Sequence, residues 1–490
     1  MKTSLFSIVL MGCWLCSCSD ISLDQVPQTE RSEANFYKTA SDFNNAVIGV
    51  YGTFKNTGII GQGSGPYLYM TELSTDNTET GQARGGTATE LYYFEDYNFS
   101  LSSSTISTAW TGHYVGIART NSILDRLPAA NIPQASKDRF EGEAKFMRAW
   151  FYFNLVRFFG DVQLSVHEIT SPYDANSIPR SPAADVYAQI IDDLKTAETK
   201  LPATIPAAEA GRASSWAAKT LLGKVYLTLK QYDTAAAKLK EVIDGNAYSL
   251  MAKYADIFPA TTSFAANKEY ILAVQYKSGL LGQGNEPGQI GQGSDLWSNW
   301  AAVNSGVALL GAGGGTGGGF NRPTADMEAA YEPGDLRKDA SMASSYKATN
   351  GTTVNERYVV KYRQQGALNG DSDVDFPLLR YADVLLMYGE TLNELGRTTE
   401  ALPYLNQIRK RAGLADKSGL SQADFRLAME QERRVELAFE GHRWFDLVRT
   451  NRFVPVMQAK GAKVQPFNNL YLIPQREILL NKTLTQNPGY

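Results

Sequence analysis

The chain has 490 residues, of which 43% are hydrophobic and 20% are charged, and its formal net charge is −4. This is the composition of an ordinary globular protein, and the length is sufficient to bury a large core. The slightly acidic balance gives no reason to expect nucleic acid or an anionic lipid surface as a partner.

The N-terminus predicts a lipoprotein signal peptide over residues 1–17. Lys2 precedes an apolar run from Leu5 to Leu15, which is the length of a signal-peptide core. Small Ser17 then precedes Cys18, which we expect to be acylated, palmitate being one of the acyl groups. All three cysteines lie within the first 18 residues, so we expect the folded body to have no disulfide and no cysteine-bound metal. Several acyl chains on Cys18 would anchor the protein stably.

Apolar residues at helical spacing predict helices through most of the chain. The predicted helices are Ser41 to Phe54, starting at a capping Ser or Asp, Trp110 to Leu127, Phe140 to Phe159, Asp185 to Ala197, and the stretch Ser214 to Ile243. Glu269 to Tyr276 is predicted to be a strand. Residues 61–99 and 280–320 are predicted to be irregular. The aromatic run around Trp150 is expected to be buried between helices, because aromatic side chains dominate core energetics.

Two stretches share the spacing of a tetratricopeptide repeat, in which a small residue on one helix faces an alanine and a large apolar residue on the next. The matching positions are Gly223, Ala235, Leu239 and Val242 in the first stretch and Gly389, Ala401, Leu405 and Ile408 in the second. The intervals of 12, 4 and 3 residues are the same in both. We therefore expect a mostly α fold, with tetratricopeptide-type helical hairpins forming a scaffold, long irregular loops and a few short strands.

Long ordered stretches around these repeats resemble the RagB/SusD family. The stretches that carry the resemblance are Phe376 to Leu395, Leu405 to Leu414, Glu432 to Leu447, Ile473 to Glu477 and Gln486 to Tyr490 in the C-terminal half, and Glu143 to Leu155 and Phe158 to Asp161 in the N-terminal half. The resemblance implies an N-terminal region over residues 18–265 and a C-terminal region over residues 266–490, together forming one compact unit. Each region would contain one repeat copy and one ligand loop.

The resemblance also implies a function. The family comprises outer-membrane lipoproteins that bind nutrients, usually glycans, at the cell surface. We therefore expect this protein to capture an oligo- or polysaccharide and deliver it to a SusC-like TonB-dependent transporter, without a cofactor. A peptide-binding uptake lipoprotein of the same family, a surface glycoside hydrolase and a pure interaction scaffold are the alternatives. A glycosidase needs only two carboxylates, but the sequence contains no nucleophile elbow, phosphate loop or zinc-hydrolase motif, so we do not expect an enzyme.

The predicted ligand site combines aromatic and polar side chains. A sugar ring stacks its apolar C–H face on an aromatic side chain, and its hydroxyls need polar partners. The candidates lie in two segments, the Gly-rich insertion (residues 280–320) and the N-terminal excursion (residues 61–99). They are Asp295, Trp297, Asn299 and Trp300 in the insertion and Asp76, Asn77, Arg84, Tyr92 and Tyr93 in the excursion. The resemblance implies that the ligand loops come from these two regions. The alternative is that a tryptophan fills a gap under its own loop, since Trp is usually largely buried.

Charged clusters elsewhere have structural interpretations. Asn369, Asp371, Asp373 and Asp375 alternate as in a calcium loop, but Phe376 and Pro377 follow too soon, so a solvated turn is favoured. Opposite charges along the helix around residue 434 favour ion pairs, Glu430 with Arg434 among them. Arg380, Arg433 and Arg434 are expected to connect the hairpins through carboxylates.

Overall fold

The structure is a computed structural model that describes residues 36–55, 59, 66–278, 309, 317–364 and 372–490. The predicted signal peptide, Cys18 and four ligand candidates, Asp295, Trp297, Asn299 and Trp300, lie outside the described residues.

Helices make up most of the described chain, which confirms the predicted mostly α fold. They are α1 (Ala40–Thr53), α2 (Pro66–Leu68), a π-helical turn (Tyr69–Leu73), α3 (Thr89–Asp96), α4 (Ser104–Arg126), α5 (Gln134–Phe159), α6 (Pro172–Ala175), α7 (Ala183–Lys200), α8 (Ser215–Thr228), α9 (Tyr232–Asp244), α10 (Ala325–Ala329), α11 (Lys338–Ser341), α12 (Tyr381–Glu394), α13 (Thr398–Arg411), α14 (Gln422–Glu436), α15 (Arg443–Arg449), α16 (Phe453–Ala459) and α17 (Gln475–Leu480). No helix in this described part is long and apolar enough to cross a bilayer.

The strands are short and pair two at a time. They are β1 (Thr78–Glu79), β2 (Val162–Gln163), β3 (Arg180–Ser181), β4 (Tyr270–Val274), β5 (Arg322–Pro323), β6 (Met342–Ala343), β7 (Tyr346–Lys347), β8 (Thr353–Val354), β9 (Tyr358–Val359) and β10 (Phe376–Arg380). The pairs are β1 with β5, β2 with β3, β4 with β10, β6 with β9 and β7 with β8, all antiparallel. The predicted strand at Glu269 to Tyr276 is β4.

The longer helices pack in series. Helix α5 contacts α4 and α7, α7 continues to α8, and α9 brings the first hairpin against α12 of the second. One cluster of buried residues runs through the whole stack, from Phe43 to Ile473. The aromatic run around Trp150 belongs to this cluster, which confirms its predicted burial between helices.

The two predicted hairpins are α8 with α9 and α12 with α13, and each glycine lies where the helices approach closely. A Cβ at Gly223 would lie 2.6 Å from Leu239 Cδ2, and one at Gly389 would lie 3.4 Å from the backbone oxygen of Ala401. Ala401 is fully buried. The glycines therefore allow the contact that the repeat spacing predicts.

The predictions for the N-terminal part need two corrections. Helix α1 is capped by Thr39, whose side chain accepts a hydrogen bond from the Asp42 amide, and the Asp42 carboxylate accepts one from the Thr39 amide. This capping box places the helix start one residue before Ser41. Residues 61–99 were expected to be irregular, yet they contain α2, the π-helical turn and α3, because tertiary packing of the aromatic side chains overrides their weak local helix preference.

Buried ion pairs join α14 to the strands, whereas Arg380 was predicted to connect the hairpins. The Arg380 guanidinium lies 2.6 Å from Glu269 Oε1, 2.6 Å from Glu436 Oε1 and 2.7 Å from Glu440 Oε2. Arg433 likewise lies 2.8 Å from Asp383 and 2.9 Å from Asp446.

The predicted pair of Glu430 with Arg434 is wrong. Arg434 pairs with Asp76 and Asp326, and Glu430 pairs with Arg443 and Arg452. Asp76 and Asp326, which lie outside α14, give Arg434 closer partners than Glu430 of its own helix does.

Candidate functional site

The N-terminal excursion and the end of the Gly-rich insertion meet at a two-residue ladder. In this ladder, Thr78 pairs with Pro323 and Glu79 with Arg322. Beyond it, the Gly81 amide donates a hydrogen bond of 2.8 Å to the Gly319 carbonyl, and the Gln82 side-chain amide donates to the Gly318 carbonyl. The structure thus places the described ends of the two predicted ligand loops side by side.

Ion pairs reinforce this junction. The Glu79 carboxylate lies 3.0 Å from Arg322 Nη2 and 3.3 Å from Arg357 Nη2. Arg357 also donates from Nε to the Pro323 carbonyl, at 2.8 Å. Since a two-stranded ladder is only marginally stable by itself, these side chains fix the relative position of the two loop bases.

Asp76 and Asn77 belong to the part of the excursion that packs on the scaffold, and both are buried. Arg443 binds the Asp76 carboxylate in a bidentate manner at 2.8 Å and 2.8 Å. The Asn77 side-chain oxygen Oδ1 accepts a hydrogen bond of 3.0 Å from Arg434 Nε. Burial acts to raise the pKa of Asp76, but Arg443 and Arg434 outweigh it and hold that pKa at about 2. Both side chains therefore connect the excursion to the scaffold, so a ligand would reach them only by displacing an arginine.

Arg84, Tyr92 and Asp96 form an exposed group on the excursion. The Arg84 guanidinium pairs with Asp96 through two hydrogen bonds, of 2.6 Å and 2.9 Å, and its central carbon lies 4.0 Å from the Tyr92 ring centroid. The Arg84 side chain is 63% exposed. The Tyr92 hydroxyl donates to the Gln82 carbonyl at 2.6 Å. The group presents a planar cation, a carboxylate and an aromatic edge to solvent.

Tyr93 differs from its neighbour Tyr92. It lies on α3 and is partly exposed. Within the described part of the chain, no hydrogen bond, ring contact or ion pair engages it. Among the five described candidates, Tyr93 is therefore the one whose side chain makes no such contact, and we select it as the candidate for stacking.

Several residues of this site were not predicted from the sequence. Asp96 pairs with Arg84, and the Gln82 carbonyl accepts a hydrogen bond from Tyr92. Glu79 pairs with Arg322 across the ladder. Asp96 follows Tyr92 by four residues, so a helix over residues 89–96 would have placed both on one face. Glu79 and Gln82 act across a long-range pairing that no local pattern indicates.

The residues that the structure describes contain no group of three His, Cys, Asp or Glu side chains able to hold a metal ion. Asp373, a member of the alternating acidic stretch, accepts hydrogen bonds from the Ser278 amide at 2.8 Å and the Ser278 hydroxyl at 2.9 Å. These bonds account for Asp373 alone, because Asn369 and Asp371 lie outside the described residues, and the solvated turn stays a prediction.

Two family models match this chain. One, described as "SusD family", matches residues 327–490, and the other, described as "Starch-binding associating with outer membrane", matches residues 53–227. The chain is 26% identical to SusD-like protein P25 of Formosa agariphila over 99% of its own length and 98% of that protein. It is 24% identical to the starch-binding protein SusD of Bacteroides thetaiotaomicron, over 80% of each chain.

A solved structure agrees with these relatives. A laminarin-binding SusD-like protein superposes with a TM-score of 0.79 and 26% identity, covering 93% of this chain and 100% of the other. The helical stack, the two hairpins and the matched regions define a SusD-type scaffold. The chain belongs to the SusD family.

Proposed function

We propose that this protein is a lipid-anchored glycan-binding protein of the outer membrane, facing the cell exterior. It captures an oligo- or polysaccharide and passes it to a SusC-like TonB-dependent transporter. The meeting of the two loop bases at β1 and β5 carries this proposal, because it places the bases of two loops rich in aromatic and polar residues side by side. The names of the laminarin- and starch-binding relatives support a glycan as the ligand.

The exposed side chains suit a sugar. Tyr93 offers a ring face for stacking, and Arg84 and Asp96 offer donors and acceptors for hydroxyls. Their mutual ion pair is exposed and contributes little to folding, so it can exchange partners with a ligand at small cost. Trp297 and Trp300 remain proposed stacking residues, with Asp295 and Asn299 as their polar neighbours. Asp76 and Asn77 are proposed to act from below, by holding the excursion in place.

Calorimetry with laminarin, starch and other purified glycans tests the proposal. We expect saturable binding of at least one glycan, with no released sugar after prolonged incubation. Alanine at Trp297 or Trp300 should weaken binding about tenfold or less, and the double variant should lose more. Circular dichroism controls for folding. Sugar release would favour a hydrolase, and binding of peptides alone would favour the peptide-uptake alternative.

Fractionation of cells tests the anchor. Cys18→Ser should release the protein from membranes, because we expect the acyl chains to have no other attachment, whereas Cys16→Ser should not. The reverse result would place the acylated residue at Cys16.

Co-purification tests the transporter. Solubilised outer membranes should yield a large barrel protein together with this chain. Consistent recovery of this chain alone would contradict a stable complex.

A further inference from the structure

A recess outside the candidate glycan site lies between α4, α6 and α17. It has a volume of about 550 Å³, and its lining includes Trp110, Ile117, Ile178 and Leu484. None of the residues lining it belongs to the N-terminal excursion or to the described end of the Gly-rich insertion.

Exposed apolar side chains lie at this recess or close to it in the sequence, beside polar lining residues such as Thr111, Asn121 and Ser171. The described residues include nine large hydrophobic side chains that are exposed. Two of them, Val115 and Ile169, line the recess. Tyr173, Leu479 and Leu480 lie within two residues of its lining, and the Tyr173 side chain is 82% exposed. Since contiguous exposed apolar surface marks interaction sites, the exposed Val115 and Ile169 on the wall of the recess suit a docking surface.

One carboxylate on the wall of the recess has no partner. Glu477 is partly buried there, and no ion pair or side-chain hydrogen bond engages it within the described chain. Burial raises the pKa of Glu477, although Arg476 opposes this increase. A cation brought by a partner would relieve this desolvation, so the recess combines an apolar floor with one group that favours a positive charge.

Hydrogen bonds to backbone groups hold the walls of the recess in place. Asn121 Nδ2 donates to the Ser165 and His167 carbonyls at 3.0 Å and 2.9 Å. Gln163 and Asn481 both donate to the Ile178 carbonyl, at 2.9 Å and 2.7 Å. The recess is thus formed before any partner arrives, as in interface pockets that receive an anchoring side chain.

We propose that this recess is a docking site for a segment of a partner protein that inserts an aliphatic side chain next to a lysine or arginine. The aliphatic side chain contacts the floor at Ile117 and Leu484, and the cationic group pairs with Glu477. Tyr173, Leu479 and Leu480 then cover the flanks of the segment.

Methyl NMR on the full chain carrying Cys18→Ser tests this proposal with acetylated, amidated tetrapeptides. The probes are Ala-Leu-Lys-Ala, its neutral counterpart Ala-Leu-Gln-Ala and its polar counterpart Ala-Ser-Lys-Ala. We expect saturable shifts at the methyl groups of Val115, Ile117, Ile169 and Leu484. The Leu-Lys peptide should bind about threefold to tenfold more tightly than the Leu-Gln peptide, and the Ser-Lys peptide should bind least.

Two variants separate the contact of the peptide cation with Glu477 from the electrostatic effect of other acidic residues on this surface. Glu477→Gln should make the Leu-Lys and Leu-Gln peptides bind equally, whereas Asp174→Asn, at an exposed acid on α6, should keep the preference. Unchanged methyl spectra outside the recess show that both variants fold. Three results would overturn the proposal: no saturable shift at these methyls, an equal affinity of the unmodified site for both peptides, or shifts at the same methyls on raising the protein concentration alone, which would identify a second copy as the occupant.

Discussion

The same chemical pair, an arginine with carboxylates, occurs in two regions of this molecule with opposite surroundings. In the scaffold, Arg380 is buried among Glu269, Glu436 and Glu440. On the excursion, Arg84 pairs with Asp96 in contact with solvent. A buried pair must stay complete, because a lone buried charge is costly, while an exposed pair can open at little cost. The scaffold is thus fixed by its charges, and the excursion keeps its charges available to a ligand.

The largest effect is expected from breaking the buried group. Arg380→Met removes a buried cation that three carboxylates share, and should lower the free energy of unfolding by about 3–5 kcal/mol. Urea denaturation measures this loss. Arg397→Met, at an exposed pair with Glu400, is the matched control and should change stability by less than about 1 kcal/mol. Equal losses for both variants would remove the distinction between the two regions.

The second test concerns apolar packing in the scaffold. Ala401→Phe should overpack the contact with Gly389 and lower the free energy of unfolding by about 1–3 kcal/mol. Ala237→Phe, at an exposed position on α9 of the other hairpin, should be nearly neutral. Thermal melting of both variants provides the comparison, and an unchanged melting temperature for Ala401→Phe would refute the repeat alignment.

How much the sequence predicts follows the same division between scaffold and excursion. Gly389 and Ala401 were paired correctly, because a helical hairpin repeats its contacts at fixed local intervals. The π-helical turn at Tyr69 and the partners of Arg434 were not predicted, because they depend on segments that are distant in the chain. For the candidate site, composition and the family resemblance selected the excursion, which stays a prediction, but the burial of Asp76 was missed, since Arg443 lies 367 residues away.

Asp76 lies where the excursion meets the scaffold. The pH dependence of stability tests whether its ion pair behaves like the buried pairs of the scaffold or like the exposed pair of the excursion. Because its native pKa of about 2 is below the ordinary value of 3.8, its pairing stabilises the protein above pH 4 and is lost as the pH falls towards 2. Asp76→Asn should therefore lower the free energy of unfolding by about 2 kcal/mol at pH 7, and this loss should shrink towards zero as the pH falls to about 2 and below. Urea titrations at several pH values measure the difference.

Asp96→Asn, at the exposed pair, is the control for Asp76→Asn and should cost less than about 1 kcal/mol at any pH. A pH-independent loss for Asp76→Asn would show that its charge does not hold the excursion.

The smallest effect is expected on glycan affinity, from a change at the stacking candidate Tyr93. Tyr93→Ala removes one stacking face and should weaken glycan binding by about 1 kcal/mol, which is tenfold or less, without changing stability. Tyr173→Ala removes an exposed tyrosine outside the site and should leave glycan affinity intact. Calorimetry with a glycan that binds the unmodified protein measures both. Full affinity in the Tyr93 variant would move the stacking position elsewhere on the loops.

The ladder of β1 and β5 has a consequence for how this protein can evolve. The two loops are fastened at their bases, by Glu79 with Arg322 and Arg357, so changes at exposed positions beyond the ladder, such as Arg84, leave the helical stack untouched. Doubling the length of a loop adds only about 0.6 kcal/mol of closure entropy. New loop sequences can therefore be tried at small cost to stability, which lets one scaffold diversify among many ligands while its buried charges stay the same.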